Sequence, residues 1–415
     1  DCSITVQPGA LLSDLREVIE PGGLFFGPDP TETSASLGGM AACNASGAMT
    51  FHYGAMRKWV QSLRMVISDG DVISIKRGEQ FAKGRSFSLT TESGRVILGE
   101  LPTYTMPFVK SAAGYYVEDD MDLIDLLIGS EGTLGIITEI EVRLIKKPDQ
   151  INGLTIFLPS EQSAIELVQM ARSNMPEDGT SLVAIEFFNH DALNLLRNAK
   201  ANNPAFESIP QLKDHYHTAV YVEFHSDDVD SIEDAVMTLM ETAMELGGSD
   251  DDTWFATTDR ELEPLKAFRH ATPEAVNLLI GERKRDVPEL TKLGTDMSVP
   301  DESLATAFEM YGAGLREHGL ESVIFGHIGN NHVHVNILPC DMNQYAEGKQ
   351  LYLGWAEKVV EMGGSVSAEH GIGRLKVPFL QMMYDETALN QMRKVKKLFD
   401  PDGILNPGVM FEPGP

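Results

Sequence analysis

Three histidines lie close together in Gly326–Asn336, the densest group of chemically capable side chains in the sequence. From His332 onward polar and apolar residues alternate, which is the period of a strand whose successive side chains face opposite ways. His332 and His334 would then share one face, and His327 lies on the glycine-containing turn before them. Converging imidazoles suit a divalent metal such as zinc, manganese or ferrous iron. The alternative is a polar strand face whose histidines are solvated.

A carboxylate and an imidazole are adjacent in Glu369 and His370, on the glycine-flanked segment Ser365–Gly373. Such a pair can supply one metal ligand and one general base, because histidine titrates near neutral pH and responds to a neighbouring cation. Two cations in otherwise acidic surroundings, Arg269 and Lys292, are candidates to bind a substrate carboxylate. For both sets the alternative is ordinary surface charge.

Two segments, 27–54 and 127–137, are rich in glycine, and the first of them is also poor in charge. Backbone N–H groups in such segments can surround phosphate oxygens, which favours a flat cofactor that carries a diphosphate. Neither segment has the Gly-x-Gly-x-x-Gly turn of dinucleotide-binding folds or the Gly-Lys-Ser/Thr of a nucleotide triphosphate loop. NAD and ATP are therefore poor candidates.

The predicted helices and strands place these segments in an α+β protein. A hairpin is predicted at 63–67 and 72–75, and beyond Pro148 helices alternate with strands, which indicates a mixed or antiparallel sheet under helices. The other predicted elements are strands at 3–6, 138–145, 182–187 and 219–224 and helices at 11–19, 163–174 and 230–246. A last helix is predicted from the apolar stripe Leu389, Met392, Val395 and Phe399.

The chain is strongly acidic, with 33 Lys plus Arg against 62 Asp plus Glu and a net charge of −29. Such a field repels nucleic acid and anionic lipid, so the charge serves solubility or a basic electron-transfer partner. The 3 cysteines show no paired spacing, which argues against a disulfide framework and an iron–sulfur cluster. A reducing compartment, the cytoplasm, is predicted, and no apolar run reaches the length of a membrane span.

An ordered series of motifs runs from Thr5 to the C-terminus. The most specific are Gly27-Pro28-Asp29-Pro30, Leu37-Gly38-Gly39-Met40, Asn44-Ala45-Ser46-Gly47, Tyr53-Gly54-Ala55-Met56-Arg57, Gly129-Ser130-Glu131-Gly132-Thr133-Leu134-Gly135, Gly326-His327, Ala368-Glu369-His370-Gly371-Ile372-Gly373 and Asn406-Pro407-Gly408. Together they resemble the FAD-linked oxidase family of the vanillyl-alcohol oxidase type. The branch is that of the D-lactate dehydrogenases, the glycolate oxidase flavin subunit and D-2-hydroxyglutarate dehydrogenase.

The resemblance implies an FAD-binding domain at 1–148, an α+β substrate or cap domain at 149–385, and a C-terminal helix and tail at 386–415 that return to the FAD domain. Relatives carry an earlier subdomain whose Arg-Gly-x-Gly-Thr turn holds the FAD diphosphate, and we expect the FAD domain here to lack that subdomain. The residues implied to surround FAD are Pro28, Asp29, Gly38, Gly39, Asn44, Ser46, Gly47, Gly54, Gly129, Glu131, Gly132, Gly135, Ile137 and Asn406.

The resemblance also implies a substrate site. The resemblance assigns His327, His334 and Glu369 as metal ligands and His370 as the base. It assigns Arg269 and Lys292 as contacts of the substrate carboxylate. The implied reaction oxidises a small D-2-hydroxy acid, of the D-lactate or glycolate type, to the 2-oxo acid by hydride transfer to flavin. Electrons would leave through an electron-transfer flavoprotein, an iron–sulfur subunit, a cytochrome or a quinone, and a homodimer is considered.

One motif departs from the pattern of the family. In relatives the first histidine and one further residue are followed by Gly-Asp-Gly-Asn, where this chain has Gly329-Asn330-Asn331-His332. Both metal-ligand positions are kept, so His332 adds a third imidazole or a substrate contact, and we count it among the catalytic residues. The alternative function is a truncated or non-catalytic flavoprotein-like subunit that acts as a scaffold or metabolite binder.

Overall fold

The computed structural model describes residues 2–174 and 179–412. These residues form two compact units. The first unit lies within Asp1–Lys147 and Gly363–Pro415, and the second unit within Pro148–Met362.

The first unit opens with strands that build one antiparallel sheet and a separate hairpin. Its elements before the second unit are β1 (Cys2–Val6), α1 (Leu12–Ile19), β2 (Leu24–Phe25), α2 (Leu37–Cys43), α3 (Thr50–Tyr53), β3 (Val60–Val66), β4 (Val72–Lys76), β5 (Ser86–Thr90), β6 (Val96–Glu100), α4 (Ile124–Leu127) and β7 (Ile136–Lys146). In the sheet β1, β7, β3 and β4 are neighbours in that order, with β2 beside β7, while β5 pairs with β6. The predicted hairpin at 63–67 and 72–75 is confirmed as β3 and β4.

The second unit holds one large sheet. Its elements are β8 (Gln150–Leu158), α5 (Glu161–Ser173), β9 (Ser181–Phe188), α6 (His190–Asn202), β10 (Thr218–Ser226), α7 (Val229–Glu245), β11 (Trp254–Ala256), α8 (Asp259–Arg283), β12 (Leu293–Gly294), β13 (Met297–Ser298), α9 (Leu304–His318), β14 (Ser322–Gly326), β15 (His332–Ile337) and α10 (Met342–Glu361). The strand order is β11, β8, β10, β9, β14, β15, β12, with β13 beside β15. All these pairings are antiparallel, which confirms the α+β class and decides between a mixed and an antiparallel sheet. Every residue of β10 is buried, so both faces of the sheet are covered there.

Polar side chains at the helix starts explain where several helices of the second unit begin. Ser160, Asn189 and Asp228 each accept a hydrogen bond from a backbone N–H at the starts of α5, α6 and α7. A cap of this kind satisfies one of the donors that a helix start leaves without an intrahelical partner. The start of α8 has the reciprocal arrangement, a capping box between Thr258 and Glu261. The helix starts are therefore encoded by local sequence.

The chain returns to the first unit with α11 (Val377–Met383) and α12 (Glu386–Phe399). The predicted apolar stripe of the last helix is buried along α12, as expected. The segment before α11 is bonded to the first unit, because Ala112 N–H donates to the Ser367 carbonyl over 2.8 Å. The second compact unit therefore ends at Met362, and the chain belongs to the first unit again from Gly363. The division into domains after residues 148 and 385 stays a prediction.

Among residues 2–174 and 179–412, none of the helices combines the length and the apolar character that a membrane span needs. The thiols of Cys2, Cys43 and Cys340 are free.

Candidate active site

The histidine turn of the second unit joins β14 to β15. At its start Gly326 has a φ of 121°, a backbone conformation that favours glycine, and a Cβ there would lie 2.8 Å from the His334 ring. A 3-10 turn follows at Ile328–Asn330, and Asn331 then adopts a left-handed φ of 52°. The turn closes when the His332 N–H donates to the carbonyl of His327 over 3.2 Å. Backbone geometry thus brings the first histidine beside the start of β15.

The three histidines form one cluster, as the sequence predicts. The ring centroids of His332 and His334 are 4.5 Å apart, and that of His327 lies 5.4 Å from the first and 5.6 Å from the second. One nitrogen of each ring lies within 4.8 Å of one nitrogen of the other two. His332 is 0% exposed and His327 is 8% exposed. His334 is half-buried. The alternative of a strand face whose histidines are all solvated is therefore wrong.

Two of the imidazoles are held by acceptors on their Nδ1 atoms. His327 Nδ1 lies 2.7 Å from Oε1 of the buried Glu186, and His334 Nδ1 lies 3.0 Å from the carbonyl oxygen of Thr295. An acceptor at Nδ1 places the proton there and makes Nε2 the nitrogen that can bind a metal. Carboxylate and carbonyl partners of this kind are typical of metal-binding histidines. The sequence analysis missed Glu186, which lies 141 residues before His327.

The third imidazole has a buried acid beside it. His332 Nε2 lies 3.1 Å from Oδ1 of Asp296, and both side chains are 0% exposed. Asp296 precedes β13, where Ser298 pairs with His332 in an antiparallel register. The short strand therefore fixes the acid against the histidine. Asp296 is not among the site residues predicted from the sequence.

An arginine from α5 holds the histidine turn. Arg172 Nη1 donates to the Gly329 carbonyl over 3.0 Å and to Asn331 Oδ1 over 2.9 Å, and it lies 3.1 Å from Asp301 Oδ1. The Asn331 amide also donates to Asp301 Oδ1. Asparagine tolerates the left-handed conformation that the turn needs. Asn331 thus combines the left-handed conformation of the turn with side-chain contacts to Arg172 and Asp301.

In the first unit the predicted acid Glu369 is held by a lysine and a serine. Lys110 Nζ lies 2.7 Å from Glu369 Oε2, and Ser46 Oγ donates to the same oxygen over 3.0 Å. The Lys110 and Glu369 side chains are 7% and 10% exposed. His370 Nε2 lies 3.6 Å from Glu369 Oε1, and its side chain is 60% exposed. Sequence analysis missed Lys110, since only the fold brings it to an acid 259 residues away.

Glu131 links three predicted segments of the first unit. Its carboxylate accepts hydrogen bonds from the N–H groups of Ile372 and Gly373 over 2.7 and 2.6 Å. Its carbonyl accepts from the Asn406 side chain over 2.6 Å. Burial raises the pKa of Glu131, while the two N–H groups and the charge of Lys376 act in the opposite direction. Two residues that the resemblance assigns to FAD, Glu131 and Asn406, are therefore in direct contact.

The two glycine-rich segments lie side by side. Gly129 N–H donates to the Ala41 carbonyl over 2.9 Å. Arg57 joins the segments, since its N–H donates to Asn44 Oδ1 over 2.9 Å and its Nη2 donates to the Ile128 carbonyl over 2.8 Å. Burial lowers the pKa of Arg57, which the nearby Asp125 and Tyr116 partly offset. The two glycine-rich segments, distant along the chain, are thus joined by direct hydrogen bonds.

The other residues that the resemblance assigns to FAD lie in the same unit. They are Pro28 and Asp29 after β2, Gly38 and Gly39 in α2, Ser46 and Gly47 after α2, Gly54 after α3, Gly132 after Glu131, and Gly135 and Ile137 at the start of β7. At Gly47 a side chain would overlap the carbonyl of Asp29, so protein packing alone requires glycine there. Contact of this whole set with FAD stays a prediction.

The two predicted cations lie at separate places in the second unit. Arg269 is a half-buried residue of α8 whose Nη2 lies 2.8 Å from His270 Nε2. Lys292 is an exposed residue before β12 and donates to Asn277 Oδ1 over 2.9 Å. Their role as contacts of a substrate carboxylate stays a prediction.

Two solved structures share this fold over nearly the whole chain. Alkyldihydroxyacetonephosphate synthase has a TM-score of 0.60 at 16% identity, and the match covers 98% of this chain and 64% of that chain. The 4-ethylphenol oxidase from Gulosibacter chungangensis has a TM-score of 0.63 at 16% identity, and the match covers 99% of this chain and 77% of that chain. The fold is that of the vanillyl-alcohol oxidase type, as the sequence analysis expects.

The chain belongs to the family of FAD linked oxidases. Residues 147–410 match the model of the FAD linked oxidases, C-terminal domain, and residues 1–76 match an FAD binding domain. The expected family and the expected class of FAD-linked oxidoreductases are confirmed. The FAD binding domain supports FAD as the cofactor.

Two curated relatives match at similar identity. A "Probable D-lactate dehydrogenase, mitochondrial" of Danio rerio is 29% identical over 99% of this chain and 72% of its own length. A D-2-hydroxyglutarate dehydrogenase of Stutzerimonas stutzeri (strain A1501) is 28% identical over 99% of this chain and 77% of its own length. These two names differ in their substrates and agree in the class of reaction.

Proposed function

We propose that this chain catalyses the FAD-dependent oxidation of a small D-2-hydroxy acid, of the D-lactate or glycolate type, to the 2-oxo acid. The observation that carries the proposal is the cluster of His327, His332 and His334, in which one nitrogen of each ring lies within 4.8 Å of one nitrogen of the other two. A site of this kind suits a divalent metal that binds the oxygens of a hydroxy acid. The relatives' names support the same class of substrate.

The donor set fits a metal. His327 and His334 would hold it, because acceptors on both Nδ1 atoms direct the Nε2 lone pairs to a ligand. When bound, zinc, manganese or iron supplies Lewis-acid stabilisation of negative charge on a substrate oxygen. The family resemblance alone assigns Glu369 as a further ligand.

His370 is proposed as the base that takes the proton of the substrate hydroxyl. Its side chain is 60% exposed, so the ring is accessible, and Glu369 Oε1 lies 3.6 Å from Nε2. The positions of Glu131 and Asn406 support the proposed FAD contacts, because they tie the C-terminal segment to the second glycine-rich segment. FAD, when bound, accepts the two electrons of the oxidation.

The substrate carboxylate and the electron acceptor complete the proposal. Arg269 and Lys292 would bind the carboxylate, which a guanidinium or ammonium group suits. The net charge of −29 supports an electron-accepting partner with a basic surface, such as an electron-transfer flavoprotein, a cytochrome or an iron–sulfur subunit. A quinone remains the other proposed acceptor, and the cytoplasm the proposed location.

An anaerobic absorbance titration tests the proposal. The purified chain is loaded with FAD, and D-lactate, L-lactate, glycolate and D-2-hydroxyglutarate are added separately. We expect the flavin absorbance to bleach with at least one D-2-hydroxy acid or glycolate and to persist with L-lactate. A chain that binds FAD and is bleached by none of the hydroxy acids contradicts the proposal.

A variant pair links the bleaching to the base. His370→Asn should slow the bleaching while FAD binding is kept. His318→Asn is the matched control, because His318 lies at the end of α9 and contacts the surface residue Glu347. Equal slowing in both variants would argue against a specific role of His370.

A further inference from the structure

His332 is the most deeply buried histidine of the cluster, at 0% exposed. A completely buried imidazole loses its contacts with water and needs compensating partners in the protein. In the second unit the groups beside the His332 ring are the rings of His327 and His334 and the carboxylate of Asp296.

We propose that His332 is a third imidazole ligand of the metal and that Asp296 is its positioning residue, an inference that rests on the proposed function. One nitrogen of His332 lies within 4.8 Å of one nitrogen of both His327 and His334, so a single ion can reach all three rings after small adjustments. An asparagine at this position would offer an amide oxygen in place of a ring nitrogen.

Asp296 has the features of an outer partner of a metal ligand. It is 0% exposed and its Oδ1 lies 3.1 Å from His332 Nε2. The register of β13 with β15 sets this distance, because Ser298 lies opposite His332. A carboxylate beside a ligating imidazole orients the ring and increases its basicity. Glu186 lies 2.7 Å from Nδ1 of His327, whereas Asp296 lies beside Nε2 of His332, which leaves Nδ1 as the proposed ligand atom of that ring.

The third nitrogen changes which metal the site prefers. Imidazole nitrogens suit zinc, iron, nickel and copper, whereas carboxylate, carbonyl and water oxygens suit manganese and magnesium. A cluster of three imidazoles should therefore favour zinc over manganese more strongly than a site with two imidazoles does. His332→Asn replaces the ring nitrogens by an amide and is expected to reduce that preference.

The first experiment uses the unmodified chain. Extended X-ray absorption fine structure of the zinc-loaded protein counts the imidazoles bound to the ion. Three imidazoles are expected, and a count of two overturns the inference. Because no substitution is involved, the result does not depend on whether a variant folds.

Chelator competition then measures zinc and manganese affinity in variants. His332→Asn should lower zinc affinity by at least about tenfold and manganese affinity less, and Asp296→Asn should lower zinc affinity by about tenfold. His318→Asn should change neither. Unchanged zinc affinity in a folded His332→Asn variant overturns the inference.

Flavin bleaching separates this inference from the proposed function. A chain that is bleached by a D-2-hydroxy acid and binds zinc through two imidazoles keeps its function and loses this inference. A chain that binds zinc through three imidazoles and is not bleached keeps the inference about the ligand and loses the proposed reaction. A chain that binds no zinc loses the inference, whatever the flavin does.

Discussion

At the scale of single residues, Lys110 is the cation that balances the buried carboxylate of Glu369. The ion pair is 2.7 Å long, and both side chains are at most 10% exposed. Removing one partner of a buried pair leaves the other charge uncompensated, which costs more than the pair contributes. This lysine therefore bears on the stability of the segment that carries Glu369 and His370.

We expect Lys110→Met to lower the free energy of unfolding by about 3 kcal/mol, because the Glu369 carboxylate stays buried without its cation. The double variant Lys110→Met with Glu369→Gln should recover part of this loss, since the buried group is then neutral. Urea denaturation of the two variants and of Glu369→Gln measures the coupling. A Lys110→Met protein as stable as the wild type would falsify the assignment.

At the scale of elements, the connection between β14 and β15 determines where the histidines lie. Asn331 has a left-handed φ of 52°, and its side chain bonds with Arg172 of α5 and with Asp301. The turn is thus fixed both by its own backbone and by a neighbouring helix.

A branched residue at position 331 should destabilise the turn. The left-handed conformation costs a non-glycine residue about 1–2 kcal/mol, and asparagine tolerates it better than valine. Asn331→Val is therefore expected to be less stable than Asn331→Gly by about that amount, although both lose the side-chain bonds. Equal free energies of unfolding for the two variants would show that the backbone conformation does not matter here.

In β10 a buried glutamate couples the second unit to pH. Burial opposes ionisation of Glu223, but the hydrogen bond and charge of His225, the charge of Lys266 and the hydroxyl of Tyr221 outweigh it. The pKa of Glu223 therefore lies below its ordinary value. His225 Nε2 is 2.9 Å from Glu223 Oε1, and both side chains are 3% exposed.

The lowered pKa fixes the direction of the pH dependence. Because the folded state binds the Glu223 proton more weakly than the unfolded state, this stabilisation is full above the unfolded pKa of about 4.3. It is lost as the pH falls through the lower, folded pKa. Glu223→Gln should flatten the stability curve in this range, and Tyr221→Phe should flatten it less. Urea midpoints measured across the acid range test this, and an unchanged slope in Glu223→Gln contradicts it.

At the scale of the whole molecule, the net charge of −29 dominates encounters with other molecules. Long-range fields of this size raise the association rate of oppositely charged partners, and salt screens them. We therefore expect the charge to affect how fast a charged electron acceptor meets this chain more than it affects the fold.

Electron transfer from the reduced enzyme should depend on the charge of the acceptor. For a cationic artificial acceptor kcat/KM is expected to fall as sodium chloride is added, and for anionic ferricyanide it is expected to rise. Steady-state assays with a fixed hydroxy acid measure both series, and the paired acceptors serve as each other's control. Identical salt dependence for the two acceptors would rule out steering by the net charge.

The sequence by itself determined the local features of this protein. Alternation predicted the strand that carries His332 and His334, and the glycine turn before it predicted that His327 would join them. Helical periodicity likewise predicted the buried stripe of α12. These predictions succeeded because periodicity and turn chemistry act over a few residues. The ordered motifs also predicted the family.

Only the tertiary structure decided what surrounds those residues. Glu186 and Lys110 contact the predicted site residues His327 and Glu369 from 141 and 259 residues away. Arg172 contacts the histidine turn at Asn331, 159 residues away. The full burial of His332 beside Asp296 was likewise invisible in the sequence, where alternation predicts one shared face and says nothing of what covers it. Strand register and helix packing set such contacts, because they act between segments that are distant along the chain.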